Sequence, residues 1–363
     1  MQGVNAGGWL LTEDWMSPTS LSDRLDTENG QYELERALAA KYGEEKTNAL
    51  FDALKDNWWQ EEDFKNIADI GFNCIRLPFG WKDLTDENGV FNEDSFARLD
   101  AFVALCVKYR LFVVLDLHGA YGSQNGKHHS GDTTTEGALY GNEKNERLTL
   151  ALWKAVAEHY KDNKWVAGYD LLNEPEGTPG GLTTSTQWDF YDRLYREIRA
   201  VDGEHLIFME SCWDPDQMPD PKKYGWKNVA YEYHYYNWGK SSLADTKSFL
   251  KSKKKLEFKY NTLCFNVPVF IGEFNFFDDL ESWDYALDFF RKNKMSWAVW
   301  TYKGLTNSNW ALYCGSDRTP DTVVTPSTDY AAALSIFENT VTSLSFRPNV
   351  PLIDLFKRHF ANK

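Results

Sequence analysis

Eight short β-rich runs alternate with helical segments along this chain, and that alternation excludes most folds. The runs occupy residues 3–7, 73–78, 111–118, 166–173, 205–211, 229–235, 267–273 and 296–302. Between them apolar residues recur at helical spacing. Glu61–Ile70 gathers Phe64, Ile67 and Ala68 on one face and stops at Gly71, a residue free to take the positive φ of a helix C-cap. Asn92 reads as the cap of a helix carrying Phe96, Leu99, Phe102, Val103 and Cys106. Further helices are expected at Gln31–Tyr42 and at residues 145–160, 186–201, 280–293, 329–343 and 352–360. Repeated βα units belong to a parallel sheet covered by helices, and eight of them favour a closed (β/α)8 TIM barrel over an open doubly wound sheet. The α/β reading takes residues 1–363 as one domain, because no linker, repeat or composition shift divides them. Long connections at 119–141, 212–227, 237–245 and 303–326 follow strands, placing them on the C-terminal face where such barrels carry chemistry.

Composition narrows the partners. A formal charge of −15 lacks the positive footprint that nucleic acid or an anionic membrane needs. Neither partner is expected. No run approaches the length of a membrane-spanning helix, and no basic segment, apolar stretch and cleavage site opens the chain. A cytoplasmic protein or a mature secreted form fits both facts. Cys74, Cys106, Cys212, Cys264 and Cys314 are scattered without a C-x-x-C pair, so neither a zinc nor a redox motif is expected. The 15 Trp, 19 Tyr and 23 Phe supply a core, and any of them exposed in a cleft would suit the flat face of a sugar ring.

The chemistry-bearing residues cluster at strand ends. Tyr169-Asp170-Leu171-Leu172 is an apolar run that stops in Asn173-Glu174-Pro175, where the proline blocks further pairing and favours an extended Glu174. Phe270-Ile271-Gly272-Glu273 repeats the pattern 99 residues later, three units round the barrel. Two carboxylates facing across a barrel mouth suit glycoside hydrolysis: about 5 Å of separation for retention, roughly 6.5–9.5 Å for inversion. The alternative is a pair of rim ion pairs. Arg76, inside an apolar strand, needs a carboxylate partner, and Glu273 is the candidate. Such a contact would depress Glu273, while a drier pocket would raise Glu174. His118 and His234 also end strands, with Tyr236 close behind. Trp297 and Trp300 fall on opposite faces of the eighth strand, leaving Trp300 as the sugar platform. His128, His129 and Asp132 lie in a Gly/Ser-rich loop and read as solvated residues near a leaving group rather than as metal ligands.

These residues resemble glycoside hydrolase family 5, in its exo-1,3-β-glucanase branch. The resemblance rests on Gly3-Val4-Asn5-Ala6-Gly7-Gly8-Trp9-Leu10 with Glu13, on residues 59–80 with Arg76, and on Asp116-Leu117-His118-Gly119-Ala120. Gly122 to Gly126, Asn173-Glu174-Pro175, His234-x-Tyr236, Gly272-Glu273 and the Trp300 block complete it over roughly residues 3–304. It implies a retaining β-glucanase or β-glucosidase without cofactor or metal, with Glu174 as acid/base and Glu273 as nucleophile. It also implies Asn173 at the sugar 2-hydroxyl, Tyr236 bonded to Glu273, Glu13 at the terminal sugar, and Arg76, His118, His234 and Trp300 lining the site. The implied substrate is a β-1,3-glucan or a short β-glucoside. Endo-acting β-1,4-glucanase or mannanase activity and a non-catalytic glycan-binding barrel are the alternatives. Asp14, Tyr121, residues 127–129, Phe274-Asn275 and everything beyond Gly304 depart from that branch, which bears on linkage and chain length more than on the reaction.

Overall fold

Parallel pairing runs in chain order through β1 (Gln2–Asn5), β2 (Cys74–Gly80), β3 (Phe112–Gly119), β4 (Val166–Asp170), β5 (Leu206–Glu210), β6 (Val229–Tyr236), β7 (Val269–Asn275) and β8 (Ser296–Val299). The barrel closes where β8 returns to β1, with Gly3 opposite Ala298. This computed structural model describes all residues except 26–27, 176–183, 212–213, 241, 340 and 362–363. Cys212 lies outside the described residues; Cys74, Cys106, Cys264 and Cys314 are free thiols. None of the described helices is long and apolar enough to cross a membrane.

Strand alternation sorts the side chains into two environments. Residues facing outward meet the helices: Trp297 packs on Phe72, Phe356 and Phe360. Residues facing inward stack in layers. Cys74, Val114, Phe208, Ala230, Phe270 and Ala298 form an apolar plug at the bottom of the lumen. Two residues beyond four of these, and beyond Gly168 on β4, Arg76, Asp116, Asp170, Glu210 and Glu232 make the next layer, and all five are fully buried. The plug excludes water from below, so this charged layer must be satisfied from within.

Most expected helices form within a few residues of their predicted bounds. The helix expected from Asn92 starts instead at Ala97, because the Asn92 side chain accepts the Asp94 N–H and closes a turn of its own. Glu44–Trp58, which buries Leu50, Phe51, Leu54 and Trp58, was not anticipated, and the helix expected over residues 329–343 stops at Asn339. Beyond β8, Lys303–Gly304, Tyr313–Cys314 and Arg347–Pro348 form a small three-stranded sheet. Its first strand is tied down by Lys303, whose Nζ lies 2.9 Å from Asp63 in a buried ion pair.

Candidate active site

Arg76 organises the charged layer. Its guanidinium lies 3.0 Å from Glu273, 3.1 Å from Asp116, 2.7 Å from Asp170 and 3.2 Å from Glu232, and it donates to Asn173 Oδ1 at 2.9 Å. Glu273 is a partner, as expected, but it is one of four carboxylates sharing a single cation. One positive charge cannot neutralise them all. Burial pushes Asp170 up to about 7 and drives Glu232 and Glu210 well above the ordinary carboxylate range, so protons supply the balance. For Glu273 too, burial outweighs the opposing pull of His234 and Arg76, and its pKa is raised. The expected net depression of Glu273 therefore does not occur: Arg76 does pull its pKa down, but burial outweighs that pull.

Alternation alone would turn Glu273 away from Phe270 and out of the lumen. The register shows why it faces in. Tyr233 is opposite Ile271 while His234 is opposite Glu273, so Gly272 is the extra residue of a β-bulge that re-aims the next side chain. A Cβ at Gly272 would lie 1.5 Å from Glu232 Oε1. Only glycine allows the bulge to sit against that carboxyl. Gly272→Ala is expected to cost about 1–3 kcal/mol of stability through overpacking, read as a lowered Tm, and to displace Glu273 enough to reduce kcat. In place, Glu273 receives Arg76 Nη1 on Oε1 and the Tyr236 hydroxyl on Oε2 at 2.8 Å, as the Tyr236 expectation required.

Glu174 lies four residues beyond the end of β4, in a cleft of about 740 Å³. Its carboxylate meets His234 Nδ1 at 2.8 Å and His129 Nε2 at 3.4 Å. The extended conformation expected before Pro175 does not occur: Glu174 has φ of 42°, in the left-handed region. Two buried anchors hold it there, since its N–H donates to Glu210 Oε2 at 2.6 Å and its carbonyl accepts from Asn125 Nδ2 at 2.9 Å. Ligand-capable oxygens of Glu174 and Glu273, with a nitrogen of His234, lie within 4.8 Å of one another.

The remaining expected residues converge on the same cleft. Arg76 occupies Asn173 Oδ1 and the amide nitrogen lies 3.4 Å from His118 Nε2, which leaves one Asn173 N–H to turn toward a ligand. His118 donates from Nδ1 to Asp116 at 2.7 Å and stacks on Trp300, with ring centroids 5.5 Å apart. Burial opposes charge on His118, but Asp116 outweighs it and raises the pKa. Gly7 leaves room for the Trp300 ring, which a Cβ there would meet at 2.7 Å. Burial works against the Glu13 charge, yet His128, 3.5 Å away, holds that carboxyl down at about 2.

His128 and His129 are not solvated loop residues. Both line the cleft, because the loop after β3 folds back so that Asn125 bonds His129 and the Glu174 carbonyl. Glu13, His128 and His129 form one set able to hold a metal ion, and Glu174, His234 and Glu273 form another. In the second set His234 already serves Glu174 through one nitrogen and faces Glu210 with the other. Trp15, Trp238 and Trp310 were not singled out from sequence. They pack around Tyr236 as an aromatic wall, with Trp238 60% exposed.

The family profile described as cellulase (glycosyl hydrolase family 5) matches residues 44–305. Among curated relatives, a β-xylosidase of Phanerodontia chrysosporium is 29% identical over 337 residues, covering 84% of this chain and 67% of the relative. A probable glucan 1,3-β-glucosidase A of Neosartorya fischeri is 28% identical, covering 76% of this chain and 65% of the relative. The chain thus spans about two thirds of the length of these relatives. A crystal structure of an endoglucanase from Thermotoga maritima superimposes with a TM-score of 0.63 at 20% identity, covering 98% of this chain and 96% of the other, a likeness of fold. With the profile matched across more than half its length, the chain belongs to glycosyl hydrolase family 5.

Proposed function

We propose that this protein hydrolyses β-glycosides with retention of configuration, releasing single sugars from β-1,3-glucans or short β-glucosides. The observation that carries the reading is that one carboxylate oxygen of Glu174 and one of Glu273 lie within 4.8 Å of each other, which favours the close pair of a retaining enzyme, about 5 Å apart, over the roughly 6.5–9.5 Å pair of an inverting one. Glu273, held by Arg76 and Tyr236, attacks the anomeric carbon. Glu174 protonates the departing oxygen, then takes a proton from the water that releases the sugar. Asn173 donates to the 2-hydroxyl, a contact that strengthens as oxocarbenium character develops. Trp300 offers its face to the ring being cleaved, and Glu13 accepts from hydroxyls of the terminal sugar.

Product analysis tests this reading. Laminarin, cellulose oligomers, mannan and aryl β-glucosides and β-xylosides are incubated with the enzyme and followed by chromatography, with proton NMR for the anomer first formed. Glucose alone from laminarin, released as the β-anomer, is the expected result. A ladder of oligomers would replace exo with endo action, and a first-formed α-anomer would overturn retention. Binding of glycans without hydrolysis of any aryl glycoside would leave a glycan-binding barrel.

A further inference from the structure

We propose that Glu210 is a positioning residue for Glu174, a neutral carboxylic acid that fixes its backbone and side chain together. This rests on the reading of Glu174 as acid/base. Glu210 ends β5 and does not itself line the cleft, yet it reaches Glu174 by two routes. Its Oε2 accepts the Glu174 N–H at 2.6 Å, which holds the left-handed backbone in place. Its Oε1 lies 3.4 Å from His234 Nε2, and His234 Nδ1 lies 2.8 Å from Glu174 Oε1. The three side chains close a ring.

Proton counting decides the state of that ring. Neither Glu210 Oε1 nor His234 Nε2 has a hydrogen-bond partner among the described residues, Glu232 Oε1 lies 3.8 Å from the same nitrogen, and all three side chains are fully buried. Once Glu174 has given its proton to the leaving group and is ionised, His234 must donate to it from Nδ1. A neutral imidazole has only one N–H, so Nε2 then presents a lone pair. Two lone pairs facing each other in a dry site repel, and the contact becomes attractive only if Glu210 carries the proton. The surroundings agree. Burial first, then Glu232 on β6, Glu174 itself and Asp170 on β4, disfavour a charge on Glu210, with Arg76 of β2 opposing them, and burial lowers His234 to about 3. Tyr140 and Tyr191 also face Glu210, and the Tyr191 hydroxyl bonds its backbone carbonyl at 3.0 Å.

A neutral acid and a glutamine share one donor and acceptor pattern, and that sets the test. Glu210→Gln and Glu210→Ala are assayed on 2,4-dinitrophenyl β-glucoside, whose leaving group needs no proton, and on an alkyl β-glucoside, whose leaving group does. Glu210→Gln is expected to stay within about threefold of wild type on both, with the basic limb of its pH profile unmoved. Glu210→Ala is expected to lose about 10²-fold in kcat on the alkyl glycoside and under about tenfold on the dinitrophenyl one, with KM little changed. A basic limb shifted down by about one unit in Glu210→Gln would mean that Glu210 is ionised, because removing a nearby negative charge lowers the pKa of Glu174. Equal losses on both glycosides in Glu210→Ala, or no loss at all, would also overturn the proposal. Should Glu210→Ala fail to fold, the pH profile of Glu210→Gln decides. Wild-type enzyme inert on both glycosides would refute the hydrolase reading itself, independently of either variant.

Discussion

Glu273→Gln is expected to fold and to lose activity on the order of 10⁴-fold or more, the scale on which removing a nucleophile acts. An amide oxygen cannot attack the anomeric carbon to give a stable glycosyl ester, so the loss falls on the first chemical step. Folding survives because the buried guanidinium does not depend on Glu273 alone: Arg76 keeps Asp116, Asp170 and Glu232 at 2.7–3.2 Å. Glutamine preserves an acceptor for Arg76 Nη1 and a polar partner for the Tyr236 hydroxyl. Two measurements check this. Thermal unfolding should place the variant within a few degrees of wild type, and mass spectrometry with a 2-fluoro-glycoside should label wild-type Glu273 and leave the variant unlabelled. Near-native turnover by Glu273→Gln, or a label found on another residue, would remove Glu273 from the nucleophile role.

The barrel was legible because its strands and helices carry different periods, and each strand ends near a turn-forming or polar residue. Strand ends were legible for the same reason: an apolar run that stops in Asn173-Glu174 or Gly272-Glu273 has no local cause to do so. Facing directions were less accessible. Alternation placed Trp300 inward and Trp297 outward correctly, but Glu273 faces the lumen only through the bulge at Gly272. Asp116, Asp170, Glu210 and Glu232 went unread, although each sits two residues past an inward-facing plug residue or glycine, a spacing visible in the sequence. What sequence could not supply was the depth at which Glu273 lies, and that burial, outweighing His234 and Arg76, reverses its expected pKa shift. The left-handed Glu174 was equally hidden. Its causes, Glu210 and Asn125, are 36 and 49 residues away in the chain.

Glu174→Ala should separate the two chemical steps. Without the acid/base, hydrolysis of an alkyl β-glucoside is expected to fall by about 10²–10⁴-fold, whereas formation of the glycosyl enzyme from a dinitrophenyl glycoside proceeds because its leaving group departs unprotonated. The intermediate then accumulates, since no base remains to activate water. The cavity left by the carboxylate suits a small anion: the two histidines that bracket Glu174, His234 at 2.8 Å and His129 at 3.4 Å, remain on either side of the vacated space. Azide should enter it, attack without needing a base, and restore turnover of the dinitrophenyl substrate. Because Glu273 has already inverted the anomeric centre once, the azide product must carry the β configuration. Proton NMR of the glycosyl azide reads that configuration directly. An α-azide would mean direct displacement with no covalent intermediate, and it would transfer the base role to Glu273. Absence of rescue at saturating azide, with the fold intact, would mean that Glu174 does not occupy the face from which the second nucleophile arrives.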